Sequence, residues 1–262
     1  MNGLYNRDYS ILFSDELSKK KQIDDTCKVG SIIQENPFLL YPKAVRHNLS
    51  LFPNNYLDIV DLKNKSKMNE QCNGFKKLLD NPSINELDIK HYIQDNGFYS
   101  IPASIFSLFD FGHHDAFLFK EFHLGTSYVA DYLLIGKSSD GYSFVFVEFE
   151  HPYKDITISG GELGNAFRKG INQIYDWKCF LESSFSSVND EFLKYTTKDL
   201  PKEFHRFDSS RMNYVVVAGR RKHFNKKTYR IRREIEKRQN IHLLHYDKLY
   251  DFSSKLIGKS TY

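Results

Sequence analysis

Three carboxylates in apolar surroundings are the residues of this chain whose types and spacing can do chemistry. Asp131 stands inside the run VADYLLIG, and Glu148 and Glu150 close the run YSFVFVEFE. Alternation along a strand puts Glu148 and Glu150 on one face, about 6.5–7 Å apart along the backbone. The GKSSDG segment between the two runs reads as a tight turn centred near Ser139. Such a turn sets Asp131 opposite positions 146 to 148, a cross-strand or diagonal neighbour of Glu148. Carboxylates brought together at a strand end repel strongly in low dielectric unless a cation neutralises them. Oxygen donors of this kind suit Mg2+ or Mn2+. Such an ion polarises a phosphoryl oxygen and acidifies bound water, so the chemistry implied is phosphodiester hydrolysis. The plainer alternative is that these are strand-end acids meeting solvent.

The elements that must position these groups follow from periodicity. Residues 117–124 and 128–135 read as strands, residues 142–150 as a strand apolar enough to be central, and residues 213–218 as another buried strand. A last strand is expected at 241–246. Helices are expected at 84–95, which ends on the stop signal Asn96-Gly97, and from Ser159 to about Glu182, opened by a capping box through Glu162. A basic helix precedes the last strand and a closing helix follows from Asp247. The order predicts a mixed α/β sheet flanked by helices. Upstream, residues 1–75 read as a smaller accessory or regulatory region and residues 76–262 as the main domain. Ser31 to Leu40 suggests a short helix broken at a proline, residues 48–59 suggest strands about a Pro53-Asn54-Asn55 turn, and the polar run 63–71 suggests a linker.

The chain of 262 residues, 40% hydrophobic and 27% charged, has the composition of a soluble globular protein. It lacks both a membrane-length apolar run and a signal-peptide pattern. Three scattered cysteines make neither a zinc pattern nor a disulfide framework, which points to a reducing, cytoplasmic setting. The net charge of +4 is concentrated: Arg220 to Arg238 holds ten Lys or Arg against two acids. A helix there would bury Thr228, Ile231 and Ile235 and show the rest to solvent, either as an ordinary outer face or as a phosphate-contacting surface. Arg220, Arg221, Lys226, Lys227 and Arg230 are the candidate contacts, with pairing to local acids the other reading of the two arginines after the strand. His113-His114 suggests a metal pair or a solvated loop, and Gly160-Gly161 a phosphate-accepting helix start without the Lys-Ser/Thr of a P-loop. No nucleophile elbow or supported cysteine nucleophile is visible.

The segments FKEFHLG, VADYLLIG, FVFVEFEHP, AFRKGINQIYDW, YVVVAGRR and HLLHYDKL, in this order and spacing, resemble the Shedu anti-phage defence nucleases within the PD-(D/E)XK nuclease superfamily. The likeness covers most of the chain from about residue 84 and leaves out the N-terminal quarter. It implies a restriction-endonuclease-like fold and a Mg2+-dependent endonuclease acting on DNA, with a homo-oligomer as working form. Carried over by position, Asp131 and Glu148 become metal ligands, and Glu121 and Glu86 match places for an accessory acid. Gln173 would reach the site through a phosphate or a water.

One departure matters. Glu150 occupies the position where this superfamily usually carries lysine, and a carboxylate cannot stabilise developing negative charge as an ammonium does. Glu150 would instead ligate a second ion or act as general base. Lys154, Arg168 and Lys169 are candidates for a migrated cation, and spacing favours Lys169, one helical turn before Gln173. Two other readings stay open: a non-catalytic nucleic-acid-binding or sensing module on a degenerate nuclease core, and a structural subunit whose acids are surface charges.

Overall fold

The computed structural model describes residues 3–28, 37–158 and 162–262. The helices, in chain order, are α1 (Ser14–Lys28), α2 (Pro37–Leu40), α3 (Lys43–Leu49), α4 (Lys65–Leu79), α5 (Glu86–Asn96), α6 (Ser100–Ala103), α7 (Asn165–Phe192), α8 (Lys226–Gln239) and α9 (Tyr246–Leu256). The strands are β1 (Asp115–Leu124), β2 (Tyr128–Ser138), β3 (Gly141–Phe149), β4 (Met212–Val217) and β5 (Ile241–Leu244). They form one mixed sheet in the order β1-β2-β3-β4-β5, antiparallel from β1 to β3 and parallel from β3 to β5. This is the α/β sheet flanked by helices that the periodicity predicts.

Alternation along the strands splits the core into two layers. Phe144 and Phe146 of β3 and Tyr214 and Val216 of β4 pack with Phe167, Ile171, Ile174 and Trp177 of α7. Their neighbours Val145, Val147, Val215 and Val217 face Ile89 and Ile93 of α5 and Leu249 and Phe252 of α9. Helix α8 lies on the first side, with Thr228 buried and Ile231 and Ile235 half-buried against the same cluster. The amphipathic stripe expected from the sequence is therefore the stripe found.

Two upstream expectations are corrected. The polar run 63–71 is largely the start of α4, capped by Asn64, whose side chain accepts from Lys67 N at 3.1 Å. Met68, Cys72, Phe75 and Leu79 recur at helical spacing and are buried, so the polar residues are the outer half of an amphipathic helix. Of residues 48–59, expected as strands, Asn48 and Leu49 end α3, Ile59 opens a short 3-10 helix, and those between form turns and a single bridge, Tyr56 to Phe117. Asn55 uses its backbone carbonyl and its side chain to pair with Leu118 at 2.9 Å each, covering part of the open edge of β1. Of the helix expected at 31–40, Pro37–Leu40 is helical and the rest lies outside the described residues, as does the Ser159-Gly160-Gly161 motif. Helix α7 begins later than expected, at Asn165, and runs on to Phe192 across a break at Ser184. No helix among the described residues is long and apolar enough to cross a membrane.

Candidate active site

The β2–β3 hairpin sets the geometry. Its closing pair is Ser138–Gly141, with Gly141 at φ 103, and the ladder runs inward to Tyr132–Val147. One step further brings Asp131 opposite Glu148, within the range the sequence predicts. There the side chain takes over from the ladder: Asp131 Oδ2 accepts from Phe149 N at 2.8 Å. On the other side of β2, the pairing with β1 is interrupted between Lys120–Tyr132 and Phe122–Ala130, where Glu121 faces Asp131. Glu121 adopts φ 49, a left-handed conformation that a non-glycine residue takes at a cost of about 1–2 kcal/mol. The irregularity resets the alternation, so that Phe117, Phe119, Phe122 and Leu124 all face the same cluster. Strain of this kind concentrates where a side chain must be re-aimed.

Asp131, Glu148 and Glu150 are 8%, 6% and 3% exposed, so all three carboxylates are buried. The backbone of Glu150 is fixed on two sides: its N–H donates to Val217 O at 2.8 Å, and its carbonyl accepts from Tyr246 Oη at 2.8 Å. Two lysines meet the outer acids from opposite layers. Lys90 of α5 donates to Asp131 Oδ1 at 2.7 Å, and Lys169 of α7 stands 3.0 Å from Glu150 Oε1. Gly170 makes the second contact possible, since a β-carbon there would fall 2.6 Å from Val216 Cγ1 and 3.3 Å from Glu150 Cγ. Glu148 lies between them, and its Oε2 is buried without a hydrogen-bond partner among the described residues.

The electrostatics follow from that placement. Burial, then the charges of Asp131 and Glu150, push the Glu148 carboxyl up to about 9, so it holds a proton at neutral pH. Burial also raises Asp131 and Glu150, against the pull of Lys90 on the first and Lys169 on the second. For Lys90, burial acts downward, but the charge and hydrogen bond of Asp131, with the charges of Glu148 and Glu121, together outweigh it and raise the ammonium.

The expected convergence of three or more acids on one ion is not the arrangement described: among the described residues no three His, Cys, Asp or Glu side chains form such a group. Lys169 draws Glu150 toward α7, and Glu121 is exposed. The donor set still suits Mg2+ or Mn2+, which use one or two carboxylates and complete their shell with water and phosphate. Asp131 and Glu148 supply two, and Glu148 Oε2, buried without a hydrogen-bond partner among the described residues, is placed to take an ion where the carboxyl otherwise keeps its proton.

The other sequence candidates divide. Gln173 is half-buried on α7 and lines an open groove with Lys169, Arg168, Asn172, Asn165 and Tyr128. Glu86, in the first turn of α5, is half-buried and adds to the upward shift of Glu150. Arg220 is 8% exposed and pairs with local acids: Nε and Nη2 donate to Asp247 at 3.0 and 2.9 Å, and Nη1 to Tyr153 Oη at 2.6 Å. Arg221 is paired with Asp251, and its N–H donates to Asp247 Oδ2 at 2.7 Å. Lys226, Lys227 and Arg230 lie exposed on α8, Arg230 beside Glu234 at 3.1 Å. His113 and His114 are exposed, and Lys154 lies exposed after β3.

Sequence reasoning missed Lys90 and Gly170. For Lys90 the available signal was its place next to the buried Ile89; for Gly170 it was a glycine in mid-helix, one residue after the lysine chosen on spacing.

Among curated proteins none matches the chain. The family described as Shedu protein SduA, C-terminal, matches residues 30–250, and so reaches into the N-terminal quarter that the motifs left out. On that match, which spans most of the 262 residues, the chain belongs to the Shedu family.

Proposed function

We propose that this protein is a metal-dependent nuclease of the PD-(D/E)XK kind, with a restriction-endonuclease-like core, that cuts DNA in defence against phage. The observation that carries the reading is the buried carboxylate row at the end of β3, whose central member, Glu148, has an oxygen with no partner among the described residues. The defence role, the DNA substrate and a homo-oligomeric working form rest on the family likeness. Residues 1–75 would serve as the accessory region.

In this reading Asp131 and Glu148 hold Mg2+ or Mn2+, which when bound supplies positive charge to a phosphate oxygen and acidity to a water. Lys169, with 58% of its side chain exposed, presents its ammonium at the groove and offers a phosphate the charge that the usual strand lysine would give. Once Lys169 turns to the phosphate, Glu150 is released to accept a proton from the attacking water. Gln173, on the same groove one turn along α7, orients the phosphate. The exposed cations of α8 hold the backbone further out, which makes binding fall with salt.

The test is incubation of plasmid DNA with Mg2+ or Mn2+. Wild type is expected to nick it, and Asp131→Ala to leave it intact while binding it equally well. One observation favours a second reading, DNA binding without hydrolysis: Glu150 stands in the lysine position, and the outer acids each have a lysine partner. Wild-type inactivity with both ions, together with retained DNA binding, would select that reading.

A further inference from the structure

Lys90 has no role in the chemistry above, yet its ammonium is in direct contact with Asp131. Its helix is rigidly mounted. Asn85 and Asp88 form a capping box at the start of α5, and Ile89 and Ile93 are fully buried against the sheet. The mount carries the Lys90 ammonium to 2.7 Å from Asp131 Oδ1 with only 17% of the side chain exposed. The Phe149 N–H holds Oδ2 at 2.8 Å. Both Asp131 oxygens are therefore engaged, whereas Glu148 Oε2 has no partner among the described residues. An ion shared by the two carboxylates would meet Asp131 on an oxygen already held by an ammonium, and like charges a few ångströms apart in a partly buried site repel strongly.

We infer that Lys90 is a built-in counter-ion of Asp131 that competes with the divalent ion, so that α5 sets how tightly the centre takes up metal. The inference rests on the metal-centre reading proposed above. Lys90 acts through Asp131 and is a positioning residue. Its flexible four-carbon stem lets the ammonium withdraw from Oδ1 while the helix stays in place. Lys169 differs: at 58% exposure it can turn to the groove, and its partner Glu150 is not one of the two ion-holding acids.

Calorimetric titration of the full chain with Mn2+ at pH 8 tests this, comparing wild type with Lys90→Met and Lys90→Arg. Removing the competing charge is expected to tighten Mn2+ uptake by about tenfold, and the arginine variant, which keeps the charge, to stay near wild type. Unchanged or weaker uptake by Lys90→Met overturns the inference. Should that variant fail to fold, wild type alone decides: amine-reactive labelling of Lys90, read by mass spectrometry, should rise on saturation with Mn2+. Unchanged labelling overturns the inference. Uptake by wild type without tightening in Lys90→Met defeats the role of Lys90 alone. No uptake by either protein defeats the metal-centre reading and this inference with it.

Discussion

With divalent ions chelated, replacing Glu148 by glutamine should stabilise the fold at neutral and alkaline pH. Burial first, then Asp131 and Glu150, push this carboxyl up to about 9 from an ordinary 4.5. Across that window the folded chain keeps a proton that the unfolded chain has released. Linkage then makes the folded state less stable as pH rises. The Glu148 contribution is therefore nil below about 4.5, grows more unfavourable through the window and levels off above about 9. Each pH unit inside it removes about 1.4 kcal/mol. At pH 7.5 the accumulated deficit is about 3 kcal/mol, allowing for the neighbouring acids that share the proton. Glutamine keeps the shape of the protonated acid and is neutral at every pH. Glu148→Gln is thus expected to melt roughly 6–10 °C above wild type in EDTA at pH 7.5. The gap should close toward pH 4.5, and scanning calorimetry across pH measures it. Saturating Mn2+ at pH 7.5 should narrow the gap from the wild-type side, because an ion can take the proton's place on the carboxylate and not on the amide. A gain that does not vary with pH, or a loss at pH 7.5, would refute the account of Glu148 as a proton-holding carboxyl.

Gly170→Ala places a β-carbon 2.6 Å from Val216 Cγ1, so α7 must move off the sheet at the point where Lys169 reaches Glu150. Denaturant unfolding is expected to show a loss of about 1–3 kcal/mol, and an unchanged midpoint would mean that the helix shifts freely. Arg220→Ala removes a nearly buried guanidinium from Asp247, Tyr153 and Asp80. Burial alone would raise the Asp247 carboxyl, but Arg220 and the Arg221 N–H outweigh it and hold it at about 2. A loss of about 3 kcal/mol is expected at pH 7. The Asp247 contribution is fully present above its ordinary 3.8 and is lost as pH falls through about 2, so the penalty of the substitution should shrink over that range. A variant as stable as wild type at pH 7 would restore Arg220 as a candidate for phosphate contact.

The features that could be read from the sequence are those fixed by local rules. The hairpin register followed from one short turn: the sequence put Asp131 opposite positions 146 to 148, and the last ladder pair, Tyr132–Val147, leaves it one step further along the strand. Helical spacing pointed to Lys169, and the structure places its ammonium 3.0 Å from Glu150 Oε1. What could not be read depends on which layer a helix joins. Lys90 is 41 residues from Asp131, and its direction is set by Ile89 and Ile93 docking on the opposite side of the sheet from α7. The linker reading failed for a related reason, because the outer half of an amphipathic helix has a linker's composition until its buried half is located. Charge counted along the chain misleads in both directions. Arg220 and Arg221 look free for phosphate, but Asp247 and Asp251, one turn apart on α9, hold both of them. The three acids look like a full ligand set, but lysines from two layers already meet the outer pair. After these pairings the central carboxyl keeps an oxygen with no partner among the described residues, in a position where ionisation is costly. A fold seeking only stability would gain by making that residue neutral. The charge state of Glu148, more than the number of acids around it, therefore measures whether this site is built to receive a cation.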